Sequence, residues 1–188
     1  VIDMVRNVIA TCRVCRAWAL PSPEVTPSLS LIDQQDIEIE ADILMFKQFM
    51  VWHMIDVCDR WHSAVEVKDK AALTLQEAIC VCWTQTFGPF KTLVIDGEKG
   101  IDSESTKKFL AGKGINLRVR AKTQHARTIE RRGAVLRHTM HCVFEQLKKE
   151  NITVAFPMLL ADAVCSGNAL TNVGGASPYV SRLGKVPP

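Results

Sequence analysis

The sequence predicts an α/β domain, and three observations carry that expectation. Five short segments alternate or run apolar as strands do, at residues 37–46, 49–58, 61–67, 91–96 and 115–120. The second and third are joined only by the turn Asp59-Arg60, which predicts an antiparallel hairpin. The later strands are separated by segments whose apolar residues recur every three to four positions, the spacing of a helix with one buried face. With 188 residues, 47% of them hydrophobic, the chain can build one ordinary core and is too apolar to be disordered. Its longest apolar runs fall far short of the roughly 20 residues of a membrane span. The first residues carry no signal-peptide pattern. A chain that opens on Val and closes on Pro-Pro is expected to be a piece of something longer.

Before the first strand, Cys12-Arg-Val-Cys15 has the spacing of a zinc knuckle, in which two thiolates share one metal. No His or further Cys precedes it, so the residues fit half a zinc site and two ordinary reduced cysteines equally well. The count of seven cysteines is odd, and Cys58, Cys80, Cys82, Cys142 and Cys165 fall in apolar segments, as small buried hydrophobes do. That usage suits a reducing compartment, cytosol or nucleus, rather than a disulfide scaffold. Pro21, Pro23 and Pro27 with Ser22, Ser28 and Ser30 make a stiff linker and a domain boundary.

The first strand carries Asp42 inside an otherwise apolar run. An acid there costs several kcal/mol unless compensated, and compensated acids in such places often serve a site. Asp56 and Asp59, at the end of the second strand and in the turn, read better as turn or capping acids. Residues 70–87 form a helix stopped by Gly88-Pro89. The fourth strand ends on Asp96-Gly97. The carboxyl ends of strands gather sites in α/β sheets, although an Asp opening a turn before Gly is also common. A helix over 103–111 is capped by Ser103, with Glu104 in its first turn. The fifth strand alternates Ile, Leu, Val with Asn, Arg, Arg, as an edge strand with a basic outer face would.

A long helix then carries Ile129, Gly133, Leu136, Met140, Val143 and Leu147 on one stripe. Glu130, Arg137 and His141 run along the border of that stripe, so Glu130 lies at the seam between core and basic face. Residues 153–171 form another apolar helix around Pro157, and the tail from Gly174 reads as a loop and exit linker.

Charge is unevenly distributed. Residues 1–106 hold 9 Lys/Arg and 16 Asp/Glu, whereas residues 107–149 hold 12 Lys/Arg and only the acids Glu130 and Glu145. A basic block after an acidic one points to a polyanionic partner and to an acidic centre able to hold cations. Asp42, Asp96 and Glu130 come from three separate elements. Three converging carboxylates suit two hard divalent ions, which prefer carboxylate oxygen and can drive phosphoryl transfer.

At this point the sequence resembles the catalytic core of retroviral and LTR-retrotransposon integrases. The carrying segments are the strand around Asp42, Met54-Ile-Asp-Val-Cys-Asp-Arg-Trp61, Phe87-Gly-Pro-Phe-Lys-Thr-Leu-Val-Ile-Asp96-Gly97, residues 124–132, and Ser177-Pro-Tyr-Val-Ser-Arg-Leu-Gly-Lys-Val-Pro187. The resemblance implies a ribonuclease H-like α/β fold with a mixed five-stranded sheet flanked by helices. It implies domains at 1–20 (a partial zinc-binding N-terminal remnant holding Cys12 and Cys15), 21–35 (linker), 36–175 (catalytic core) and 176–188 (C-terminal linker). It implies that Asp42, Asp96 and Glu130 are the catalytic carboxylates and hold two Mg²⁺ or Mn²⁺ ions, with Zn²⁺ at the truncated N-terminal site. Lys122, Gln124, Arg127, Arg131 and Arg137 become the DNA-contact candidates.

The activity implied is 3′-end processing and strand transfer of retrotransposon DNA into target DNA by a metal-dependent polynucleotidyl transferase. Its partners would be double-stranded DNA, both element ends and target, and further copies of the chain, with no membrane. Its location would be the nucleus, after a cytoplasmic virus-like particle or preintegration complex. The chain departs from the family in two places. Ala126-Arg127 replaces the usual Asn-Gly, and 33 residues separate Asp96 from Glu130, a slightly short spacing. Two alternatives remain: a catalytically decayed or domesticated DNA-binding module of the same fold, and a ribonuclease H-type nuclease.

Overall fold

A computed structural model describes residues 8, 11–14, 32–96, 101–120 and 127–187, the side chain of Arg127 excepted. Five strands form one sheet: β1 (Glu38–Phe46), β2 (Phe49–Asp56), β3 (His62–Val67), β4 (Thr92–Asp96) and β5 (Asn116–Arg120), in the order β3-β2-β1-β4-β5. The first three make an antiparallel meander, and β4 and β5 lie parallel to β1, so the sheet is mixed. Among the described residues, five helices flank it. Helix α1 runs from Ala72 to Ile79 and continues through a π-helical turn, Cys80–Thr84, to Gln85–Phe87. The others are α2 (Glu104–Gly112), α3 (Arg127–Lys149), α4 (Phe156–Leu170) and α5 (Pro178–Leu183).

Alternation along the strands splits the sheet into two faces. Ile39, Ala41, Trp52, Met54, Leu93 and Ile95 pack against Leu75, Ile79 and Trp83 of α1 and Leu110 of α2. On the other face Leu44, Phe46 and Val51 pack against Leu136 and Met140 of α3 and Phe156, Leu159 and Leu160 of α4. The predicted stripe on α3 is met: Ile129, Gly133, Leu136 and Met140 are buried, and Val143 and Leu147 are half-buried. Ser103 caps α2, accepting from the Thr106 amide.

Three local expectations change. Arg132 belongs to the basic 107–149 block expected to meet a polyanion, yet it is 6% exposed and donates from Nη2 to the Gly167 carbonyl on α4 at 2.7 Å. Of the five cysteines expected to be buried, only Cys82 is; Cys58, Cys80 and Cys142 are half-buried and Cys165 is exposed. An apolar neighbourhood along the chain does not fix which side of a helix a residue faces.

The tail, expected to be a loop, holds α5, which is tied to the core by Arg182. The side chain of Arg182 is 3% exposed and pairs with Asp36 at 2.5 Å, Asp59 at 2.8 Å and Asp56 at 3.3 Å. Its guanidinium lies 4.2 Å from the Phe87 ring centroid and 5.1 Å from that of Trp83. Asp56 also accepts the amides of Asp36 and Cys58, and Asp59 accepts that of Trp61. The structural reading of those two acids is therefore met. Burial raises the Asp59 carboxyl above its ordinary value, against the Trp61 amide bond and Arg182, which favour its charged form.

Candidate active site

The face of the sheet that meets α3 carries every second residue of β1, and three of these are acids: Glu38, Glu40 and Asp42. The first two are ion-paired across β4. Arg118 of β5 reaches Glu38 at 2.5 Å, and Arg120, the last residue of β5, pairs with Glu40. The basic face expected on the edge strand is thus turned toward the acids of β1. Glu40 is 3% exposed, and its second oxygen accepts the backbone amide of Ile129, in the first turn of α3, at 2.8 Å.

Asp42 has a different neighbour. The parallel β1–β4 register runs from Glu38–Thr92 to Ala41–Ile95, so the next rung sets Asp42 beside Asp96. Residues on one rung of a parallel pair point to the same face, about 5 Å apart. Ala41 and Ile95 lie in the α1/α2 core, so Asp42 and Asp96 both face α3. Two carboxylates side by side repel each other unless a cation lies between them. Asp42 also accepts its neighbour's amide, that of Ile43, at 2.7 Å.

Glu130 is the fourth residue of α3 and is exposed. The residues before it are tied to the sheet: Arg60 donates to Thr128 Oγ1 at 2.9 Å, and Glu40 accepts from Ile129. Ile129 packs on Ile55, the cross-strand partner of Glu40. Among the described residues, no three His, Cys, Asp or Glu side chains are grouped closely enough to hold one metal ion. Asp42 and Asp96 thus follow the last paired residues of β1 and β4, and Glu130 follows the anchored Ile129, without the three closing into a single cage. Their chemistry fits a hard divalent cation, since all three offer carboxylate oxygen and no soft ligand joins them.

Of the DNA-contact candidates, Arg131 and Arg137 are exposed on α3. Lys122 and Gln124, like Cys15 of the expected zinc pair, lie outside the described residues, as does the Arg127 side chain; Cys12 is half-buried. Sequence reasoning singled out Asp42 and missed Glu40, the more deeply buried acid. A signal was available in the alternation Glu38, Glu40, Asp42 opposite Arg118 and Arg120, but only the strand order places the arginines across from the acids.

Neither a family model nor a curated protein matches the sequence. Solved structures do match. The catalytic core domain of BIV integrase superposes with a TM-score of 0.67 at 15% identity, over 79% of this chain and 95% of that one. The fold is that of a retroviral integrase catalytic core. The HTLV-2 integrase catalytic core in complex with magnesium shares it, with a TM-score of 0.65 at 12% identity over 77% of this chain and 94% of that one. So does a chain of the simian T-cell lymphotropic virus intasome in complex with PP2A regulatory subunit B56 gamma, with a TM-score of 0.72 at 13% identity over 99% of this chain and 69% of that one. In this integrase-core fold the Asp42–Asp96 rung lies at the centre of the sheet, on the two strands where it changes from antiparallel to parallel.

Proposed function

We propose that the chain is a metal-dependent polynucleotidyl transferase of DNA integration, acting at 3′ ends and in strand transfer of retrotransposon DNA. What supports this reading is the β1–β4 register, whose last pair is Ala41–Ile95 and whose next residues are Asp42 and Asp96, on the face that meets the helix bearing Glu130. Asp42, Asp96 and Glu130 would hold the metal ions through their carboxylate oxygens. Two bound Mg²⁺ or Mn²⁺ ions would supply Lewis acidity at the reacting phosphate and lower the pKa of the attacking water or 3′-hydroxyl. Arg131 and Arg137, exposed on the same helix, hold the DNA backbone through its phosphates, and Lys122, Gln124 and Arg127 extend that contact. No covalent protein intermediate is required. Cys82 is an unsuitable nucleophile in any case, its thiol pushed up to about 12 by burial.

In this reading residues 36–175 are the catalytic core, 1–20 the remnant of a zinc-binding domain whose ligands include Cys12 and Cys15, 21–35 a linker, and 176–188 the way out of the core. The working form is a multimer on double-stranded DNA in the nucleus. No helix among the described residues is long and apolar enough to cross a membrane. Labelled duplex DNA carrying element ends, incubated with Mg²⁺ or Mn²⁺, tests the activity. Strand-transfer products with the wild type and their loss with Glu130→Gln support it. Equal yields from the two proteins refute the catalytic assignment. A DNA-binding module without catalysis is the second reading, and the absence of a closed three-carboxylate group among the described residues favours it; salt-dependent DNA binding with no products under either metal would establish it.

A further inference from the structure

We propose that Glu40 is a positioning residue: its carboxylate fixes both ends of the β5–α3 connection and so sets Glu130 against the Asp42–Asp96 rung. One oxygen of Glu40 takes the guanidinium of Arg120, the last residue of β5, and the other takes the amide of Ile129, the third residue of α3. A single side chain thus grips the residue before the connection and the helix turn after it. The amide it takes is one of the four that a helix N-terminus leaves without an internal partner, and its charge matches the positive end of the helix dipole. Arg60 grips the adjacent Thr128, and Ile129 buries its own side chain on Ile55. Glu130 is the next residue, so its backbone position follows from these three attachments.

The energetics argue against a purely structural part. A buried ion pair is often no more stable than an apolar replacement of similar volume. The surroundings of Glu40 would accept such a replacement of Glu40 and Arg120 together, since Ile55 and Ile129 lie beside Glu40 and Val94 shares its rung. A carboxylate kept there is explained by what it holds in place. Glu40 is two residues from Asp42 on the same face of β1, so the same strand that carries the first carboxylate of the site also aims the third.

This inference rests on the reading of Asp42, Asp96 and Glu130 as a metal site, and a double-mutant cycle on Mn²⁺ affinity separates the two. Mn²⁺ binding to the 188-residue chain is measured by electron paramagnetic resonance for wild type, Glu40→Met, Glu130→Gln and the double variant, alongside thermal unfolding and strand transfer. Glu40→Met leaves Arg120 without its carboxylate and the Ile129 amide without its acceptor, so its unfolding temperature is expected to fall while the chain stays folded at the assay temperature. It is expected to weaken Mn²⁺ about as much as Glu130→Gln, and to add nothing in the double variant. Turnover in strand transfer is expected to fall on the order of 100-fold, the cost of a misplaced group, with the apparent KM for DNA within about twofold. If Glu130→Gln weakens Mn²⁺ while Glu40→Met binds as wild type does, or if the two effects add, the positioning role is overturned and the site survives. If Glu130→Gln leaves Mn²⁺ binding unchanged, the site itself is wrong and the inference falls with it. Should Glu40→Met not fold, the isosteric Glu40→Gln, which keeps an acceptor for the Ile129 amide and loses the charge on Arg120, is expected to give a partial loss in the same non-additive pattern; additivity there overturns the proposal equally.

Discussion

His53 Nε2 and His62 Nδ1 meet at 3.0 Å, side by side on β2 and β3 beneath α3 and α4. Both rings are buried, and among the described residues His53 Nδ1 has no hydrogen-bond partner. Burial, then the charges of Arg132 and Arg137, lowers His53 to about 3. Burial, then His53 and Arg132, lowers His62 well below its ordinary value. One bond between two neutral imidazoles needs one donor and one acceptor, and protonating either ring would set a second positive charge beside the buried Arg132.

Folding stability should therefore fall as the solution is acidified. Both folded-state values lie below the unfolded value of about 6.5, so the unfolded chain binds more protons below that pH. The histidine contribution is complete above about pH 6.5 and is lost as the pH falls, at up to about 1.4 kcal/mol per pH unit for each ring, that of His53 down to its folded-state value of about 3. Asp59, raised by burial, opposes this as the pH falls through its folded-state value. Urea unfolding at pH 7.5, 6.5 and 5.5 reads the effect, and His53→Gln should reduce the slope. A flat profile over that range would contradict the account.

Arg182 ties α5 to the core by answering three acids at once. Arg182→Met leaves Asp36, Asp56 and Asp59 close together without their cation and should cost about 3–5 kcal/mol. Adding Asp59→Asn to Arg182→Met should recover part of the loss, because one of the stranded charges is then gone. Thermal unfolding of both variants decides it, and no recovery in the double variant would mean that Arg182 acts through its stacking on Phe87 and Trp83 rather than its charge.

Gly167 marks where α4 approaches the histidine pair. A Cβ there would lie 2.5 Å from His62 Nε2 and 3.3 Å from Arg132 Nη2, whereas one at Gly112, on α2, would meet nothing within 4 Å. Gly167→Ala should destabilise by about 1–3 kcal/mol, as overpacking does. Gly112→Ala should be neutral or stabilising by up to about 1 kcal/mol, because alanine restricts the unfolded chain. Equal denaturation midpoints for the two variants would show that the ring of His62 can yield.

Arg131 and Arg137 are the exposed cations assigned to DNA phosphates. Each Ala substitution should weaken binding to any duplex sequence and reduce the slope of log K against log salt by about 1. Arg132, one residue along but buried against Gly167, should leave that slope unchanged when replaced by Lys, provided the variant folds. An unchanged slope in Arg131→Ala and Arg137→Ala would remove them from the interface.

The elements were legible in the sequence because apolar spacing is local: the hairpin turn at Asp59-Arg60, the cap at Ser103 and the stripe from Ile129 to Met140 all depend on near neighbours. Asp42 stood out as an acid in an apolar strand, and Asp96 as an acid at a strand end. Glu40 did not stand out, because its partners Arg120 and Ile129 are 80 and 89 residues away and adjacency depends on strand order. Arg132 and Arg182 were hidden for the same reason. A buried arginine looks like a surface one until the carbonyl or carboxylates that receive it are known. The tail looked like a loop because six residues of helix, Pro178–Leu183, carry too little apolar periodicity to announce themselves.

The central claim is that the carboxylates Asp42 and Asp96, side by side on neighbouring strands, hold metal for phosphoryl transfer on DNA. The most direct measurement is strand transfer or its reversal on labelled DNA, with Mg²⁺, with Mn²⁺ and with chelator, for the wild type and Asp96→Asn. Metal-dependent products from the wild type and a loss of at least about 100-fold in Asp96→Asn, with an unchanged unfolding temperature, are the predicted result, since a ligand to a catalytic metal is removed while the fold stays intact. Products that persist in chelator, or equal rates from the wild type and Asp96→Asn, would contradict it.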